Sequence, residues 1–71
     1  MKRRGLVKKI AAAAKRQEVA WQLSREGANH SVYVLDTVII PVPRHREIGE
    51  NLAVEIFKEC ETVLGKGWWR S

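Results

Sequence analysis

The chain is poor in the residues that usually build elaborate sites. A single cysteine, Cys60, cannot close an internal disulfide, so a secreted disulfide scaffold is excluded. The histidines, His30 and His45, and Cys60 are spaced far more widely than the short ligand pairs of zinc sites. No metal or other cofactor is therefore expected. No apolar run approaches the roughly 18–20 residues of a membrane-spanning helix. The basic start, Met1-Lys2-Arg3-Arg4, leads into a segment interrupted by Lys8 and Lys9, unlike a signal-peptide core. A cytoplasmic protein is expected, with no membrane partner. Length is also scarce. The 71 residues allow one domain with a thin core, and a dinucleotide-binding fold, a P-loop fold or a barrel needs more chain.

Charge is plentiful and unevenly placed. Lysine and arginine outnumber acids 13 to 8, giving a net charge of +5 and a pI near 9.9. The excess lies in residues 1–25, where Glu18 is the one acid, whereas residues 47–71 are mildly acidic. A basic face suits a polyanion, commonly nucleic acid, and equally a solvated helix surface.

Hydrophobic periodicity divides the chain into five elements. From Arg4 to Gln17, Leu6, Val7, Ile10, Ala13 and Ala14 share one helical face, with a basic side formed by Arg4, Lys8, Lys9, Lys15 and Arg16. Val19, Trp21 and Leu23 alternate with polar or small residues as in a half-buried strand, with Trp21 expected in the core. Gly27 and Asn29, both tolerant of positive φ, mark a turn. His30 to Leu35 reads as a central strand, Asp36-Thr37 as a tight turn, and Val38 to Val42 as a third strand. Pro41 and Pro43 remove N–H donors from one lateral side, which makes this strand an edge and orders the meander one-two-three. Ile48, Leu52, Ile56 and Val63, broadened by Ala53, Phe57, Cys60 and Leu64, form the stripe of a last helix ending near Gly65. The fold class is α+β: helix, three antiparallel strands, helix, with both helices on one face of the sheet. One domain is expected over 1–71, with a core of about 5–64 and a Trp-containing tail, 65–71.

Histidine ordinarily titrates between pH 5 and 8, which makes His30 and His45 the natural proton carriers. His30 opens the central strand, where a rigid element can hold it at the surface. Tyr33 suits sheet packing or stacking on a base. Trp68 and Trp69 suit a partner, a second copy or the chain's own sheet edge.

The segments Gly27-Ala28-Asn29-His30-Ser31-Val32-Tyr33, Ile40-Pro41-Val42-Pro43-Arg44-His45-Arg46-Glu47-Ile48 and Leu52-Ala53-Val54-Glu55-Ile56 resemble the HicA toxins of toxin–antitoxin pairs. The resemblance covers residues 5–64 and implies a fold like a double-stranded-RNA-binding domain. It also implies mRNA interferase activity and neutralisation by a HicB-type antitoxin. The family's catalytic histidine falls on His30, and its Pro-Arg-His segment on Pro43, Arg44 and His45. Many members have Ser and then His after the Gly, where this chain has Ala28 and Asn29 before His30.

RNA brings its own nucleophile, the 2′-hydroxyl, so a small ribonuclease needs only proton transfer, charge stabilisation and orientation. His30 is the catalytic candidate. Lys8, Lys9, Lys15, Arg16, Arg25, Arg44 and His45 are candidate RNA contacts, with His45 also open as a second acid or base. The expected activity is metal-independent cleavage of mRNA that arrests translation. The rival is a non-enzymatic double-stranded-RNA-binding module, which favours a lysine cluster at the start of the last helix, where this chain has Glu47-Ile48-Gly49-Glu50. A DNA-reading helix fits less well, because the last helix is acidic and the first, being Ala-rich, offers few base-reading side chains.

Overall fold

Residues 1–70 are described by a computed structural model. Helix α1 spans Arg3–Arg16 and buries Leu6, Ile10, Ala13 and Ala14 along one stripe. Full burial of Leu6 or Ile10 contributes about 1.5–3 kcal/mol each relative to exposure. The helix stops where Glu18 takes a left-handed φ of 57°, and Val19 N–H donates to Ala14 O at 2.8 Å. The chain then enters β1, Trp21–Glu26, followed by β2, His30–Leu35, and β3, Val38–Pro43. The sheet is antiparallel in the order β1-β2-β3. The two prolines lie on edge strand β3, where their missing donors cost no ladder bond. Asp36, at φ 58°, turns β2 into β3.

Helix α2, Glu50–Glu59, and the single turn α3, Glu61–Leu64, continue the chain. The expected last helix is thus broken at Cys60. Its buried stripe runs Ala53, Ile56, Phe57, Cys60 and Leu64, while Leu52 is 39% exposed at the margin. These side chains join those of α1 and the core residues Leu35, Ile40 and Val42 in one cluster. Both helices therefore cover the same face of the sheet, and the arrangement is double-stranded-RNA-binding-domain-like. The described residues end in a 3-10 turn, Trp68–Arg70, that folds back on α2. Trp68 Nε1 donates to Phe57 O at 2.8 Å, and the Trp69 ring lies 5.8 Å from that of Phe57. Among the described residues no helix is long and apolar enough to cross a membrane.

The sheet departs from strict alternation in β1. The register slips between Leu23 and Arg25, so Leu23 pairs with Tyr33 but Arg25 pairs with Val32. Ser24 is the extra residue, and such a bulge exchanges the faces of the residues after it. Trp21 and Leu23 fall on the helix-covered face, Arg25 on the open face, and Glu26 on the covered face opposite buried Ser31. Trp21 is half-buried and stacks on Tyr33 at 4.5 Å, whereas Leu23 is 46% exposed. The expectation that Trp21 belongs to the core holds in part. Leu23 is the exception, because β1 is an edge strand over which the core thins.

Candidate active site

His30, Val32 and Val34 occupy the open face of β2, alternating with Ser31, Tyr33 and Leu35 on the covered face. His30 pairs with Pro43 at the end of the sheet where the β1–β2 loop and the segment after β3 meet. Its side chain is exposed in an open depression of about 490 Å³ that also involves Arg25, Gly27, Ala28, Asn29, Val32 and Pro41. The bulge at Ser24 places Arg25 there: strict alternation would have put it on the opposite face.

The loop is held by its backbone. Gly27 N–H donates to His30 O at 2.7 Å. A Cβ on Gly27 would lie 3.0 Å from that same oxygen, so any side chain would press on the peptide of His30. This close approach, not a positive φ, is what favours glycine: the expected turn is present, and Gly27 and Asn29 are both outside the left-handed region. Arg44 braces the loop from β3. Its N–H donates to Asn29 O at 3.1 Å, its Nη1 to Gly27 O at 3.0 Å, and its Nε lies 4.0 Å from Glu26 Oε1.

A second support lies on the covered face. Arg3 Nη2 donates to Ser31 Oγ, and the Ser31 hydroxyl donates to Glu26 Oε1. Arg3 Nε donates to Pro43 O at 3.0 Å. The start of α1 is thereby fastened beneath the residue after His30. A short antiparallel bridge adds to this: Arg3 N–H donates to Arg46 O, Ile48 N–H donates to Met1 O, and Lys2 Nζ meets Glu47 Oε2 at 3.0 Å. The Lys2 ammonium, hydrogen-bonded to the Glu47 carboxylate, holds that carboxyl below its usual range.

The predicted contacts therefore separate. Arg25 lines the His30 depression, Arg44 bonds to the loop before His30, and His45 follows Arg44 as an exposed residue outside the lining of that depression. Lys8 and Lys9 are exposed midway along α1. Lys15 and Arg16 lie in its last turn, at the other end, where Gln17 Nε2 donates to Leu64 O. Twelve positions separate Arg3 from Lys15, about 18 Å along a helix axis. Tyr33, stacked on Trp21, faces away from the His30 depression. Sequence reasoning missed Arg3, Ser31 and Arg46 as members of this end. For Arg3 and Arg46 the one signal was the richness in arginine, and for Ser31 there was none, because a bridge between residues 2 and 47 leaves no local pattern. Among the described residues no cluster of three His, Cys, Asp or Glu side chains could hold a metal ion. Comparison with family models, curated proteins and solved structures finds no match to this chain.

Proposed function

We propose that this protein is an endoribonuclease of the HicA kind, a toxin that cleaves mRNA with His30 as its proton carrier. The observation that carries the reading is an exposed histidine on a braced strand end, beside Arg25 in one open depression. In the proposed step the substrate's 2′-oxygen forms a bond to phosphorus and the bond from phosphorus to the 5′-oxygen breaks. The 2′-hydroxyl loses a proton and the departing 5′-oxygen gains one. His30 moves one of these protons; His45 or water moves the other. Arg25 offsets the charge that develops on the phosphorane. The reaction draws its nucleophile from the substrate and asks for no metal. A HicB-type antitoxin and cytoplasmic action belong to the same proposal, on the sequence resemblance.

Purified protein should cleave single-stranded RNA in the presence of EDTA and leave 2′,3′-cyclic phosphate ends. His30→Ala should lose roughly 10²–10⁴-fold in rate and no longer arrest growth on expression. Wild-type cleavage and arrest by well-folded His30→Ala protein would remove His30 from the mechanism. Activity lost in chelator and restored by Mg²⁺ would replace it with a metal mechanism.

A further inference from the structure

The end of the molecule that holds His30 is more cationic than the proposed chemistry uses. A cleft of about 680 Å³ is lined by Lys2, Arg3, Arg4, Gly5 and Arg46. The short bridge between the first residues and Arg46–Ile48 fixes its two walls to each other. The charges in it are unequally engaged. Arg3 is consumed by Ser31 and Pro43, and Lys2 by Glu47. The side chains of Arg4 and Arg46, both exposed residues, have no hydrogen-bond or ion-pair partner among the described residues.

This placement is electrostatically costly in the free protein. Like charges line one cleft, and repulsion between them opposes folding. An anion lying between Arg4 and Arg46 would remove that cost, and guanidinium groups suit phosphate oxygens through paired N–H donors. The cleft joins the His30 site through Arg3, which contacts both Ser31 and Pro43, neighbours of His30 in chain and in register.

We infer that Arg4 and Arg46 bind backbone phosphates of single-stranded RNA flanking the position cleaved at His30. The strand then crosses the end of the sheet and does not run along the basic side of α1. This rests on the ribonuclease reading above, which supplies the ligand; charge complementarity and connection to His30 supply the path.

The test uses full-length His30→Ala protein as parent, so that a fluorescein-labelled single-stranded RNA stays intact while binding is followed by anisotropy across a salt series. Loss of two phosphate contacts in Arg4→Gln/Arg46→Gln should flatten the slope of log affinity against log salt by about 1.4. Between 50 and 200 mM salt the parent should therefore lose about sevenfold more affinity than this variant. Lys15→Gln/Arg16→Gln should keep the parent slope. An unchanged slope in Arg4→Gln/Arg46→Gln, or an equal flattening in both variants, would overturn the phosphate site. A wild type that neither binds nor cleaves the RNA would overturn the ribonuclease reading itself and the site with it. Circular dichroism confirms that each variant is folded, and the two Gln pairs, being exposed, serve as each other's control.

Discussion

Helix α1 carries Lys15 and Arg16 in its last turn and Lys2, Arg3 and Arg4 around its start, with no acid in the first turn. The two clusters look alike in the sequence but have different physical consequences. At the C-terminus a cation faces the negative end of the helix dipole and stabilises the helix by about 0.3–1 kcal/mol. At the N-terminus the same charge opposes the positive end by a similar amount. The far cluster is thus explained by the helix alone. In the near cluster Lys2 and Arg3 are engaged by Glu47, Ser31 and Pro43, while Arg4 opposes the helix dipole with no side-chain partner among the described residues. A charge the fold does not need is better evidence of a ligand than one the fold rewards.

The largest effect expected from separating the two ends is on stability. Leu64 is buried beneath the far end, where its carbonyl accepts from Gln17. Leu64→Ala should cost about 2–5 kcal/mol in urea denaturation, while the protein that remains folded binds RNA as before. Reduced RNA affinity per folded molecule would show that the ends are not independent.

Cys60 supplies a pH test of the same region. Burial, helped by the charge of Glu59, pushes its thiol up to about 12 from the ordinary 9.0. The unfolded chain therefore releases this proton first. The thiol's contribution is constant below about pH 9 and is lost as pH rises from there towards 12. Wild type minus Cys60→Ala, compared by denaturation across that window, isolates it from lysine and tyrosine titration. A flat difference would mean the thiol is not sequestered.

Gly27→Ala strikes the other end. The new methyl presses on the His30 carbonyl, and under the proposed mechanism a displaced proton carrier is costly out of proportion to distance. Cleavage should fall roughly tenfold, with little change in the urea midpoint. Full activity would show that the loop can give without moving His30.

The smallest effects are the most discriminating. Arg4→Gln should raise stability by a few tenths of a kcal/mol, up to about 1, and Lys15→Gln/Arg16→Gln should lower it by a similar amount per site. Thermal melts at low salt should show the opposite signs and high salt should erase both. Shifts of the same sign would mean that the two clusters do not differ in this way.

The strands, the central position of His30–Leu35 and the edge set by Pro41 and Pro43 were legible because alternation and missing donors are local properties. The buried stripe of α1 was legible for the same reason. Leu23 was not, because the bulge at Ser24 and the thin cover over an edge strand depend on neighbours. The spread of the cationic residues along α1 was not legible, for a geometric reason. Helical periodicity sorts residues by face and discards position along the axis, so Lys8, Lys9, Lys15 and Arg16 read as one surface with Arg4. The bridge joining Lys2 to Glu47 and the bonds from Arg3 to Ser31 and Pro43 show which end of that surface meets His30.

The most direct measurement is amide chemical-shift mapping of ¹⁵N-labelled His30→Ala protein titrated with a short single-stranded RNA. A strand crossing the end of the sheet should perturb residues 2–4, 25–31 and 44–47, with Lys15 and Arg16 unmoved. Perturbations that run through Lys8, Lys9, Lys15 and Arg16 along α1, with residues 25–31 quiet, would contradict it.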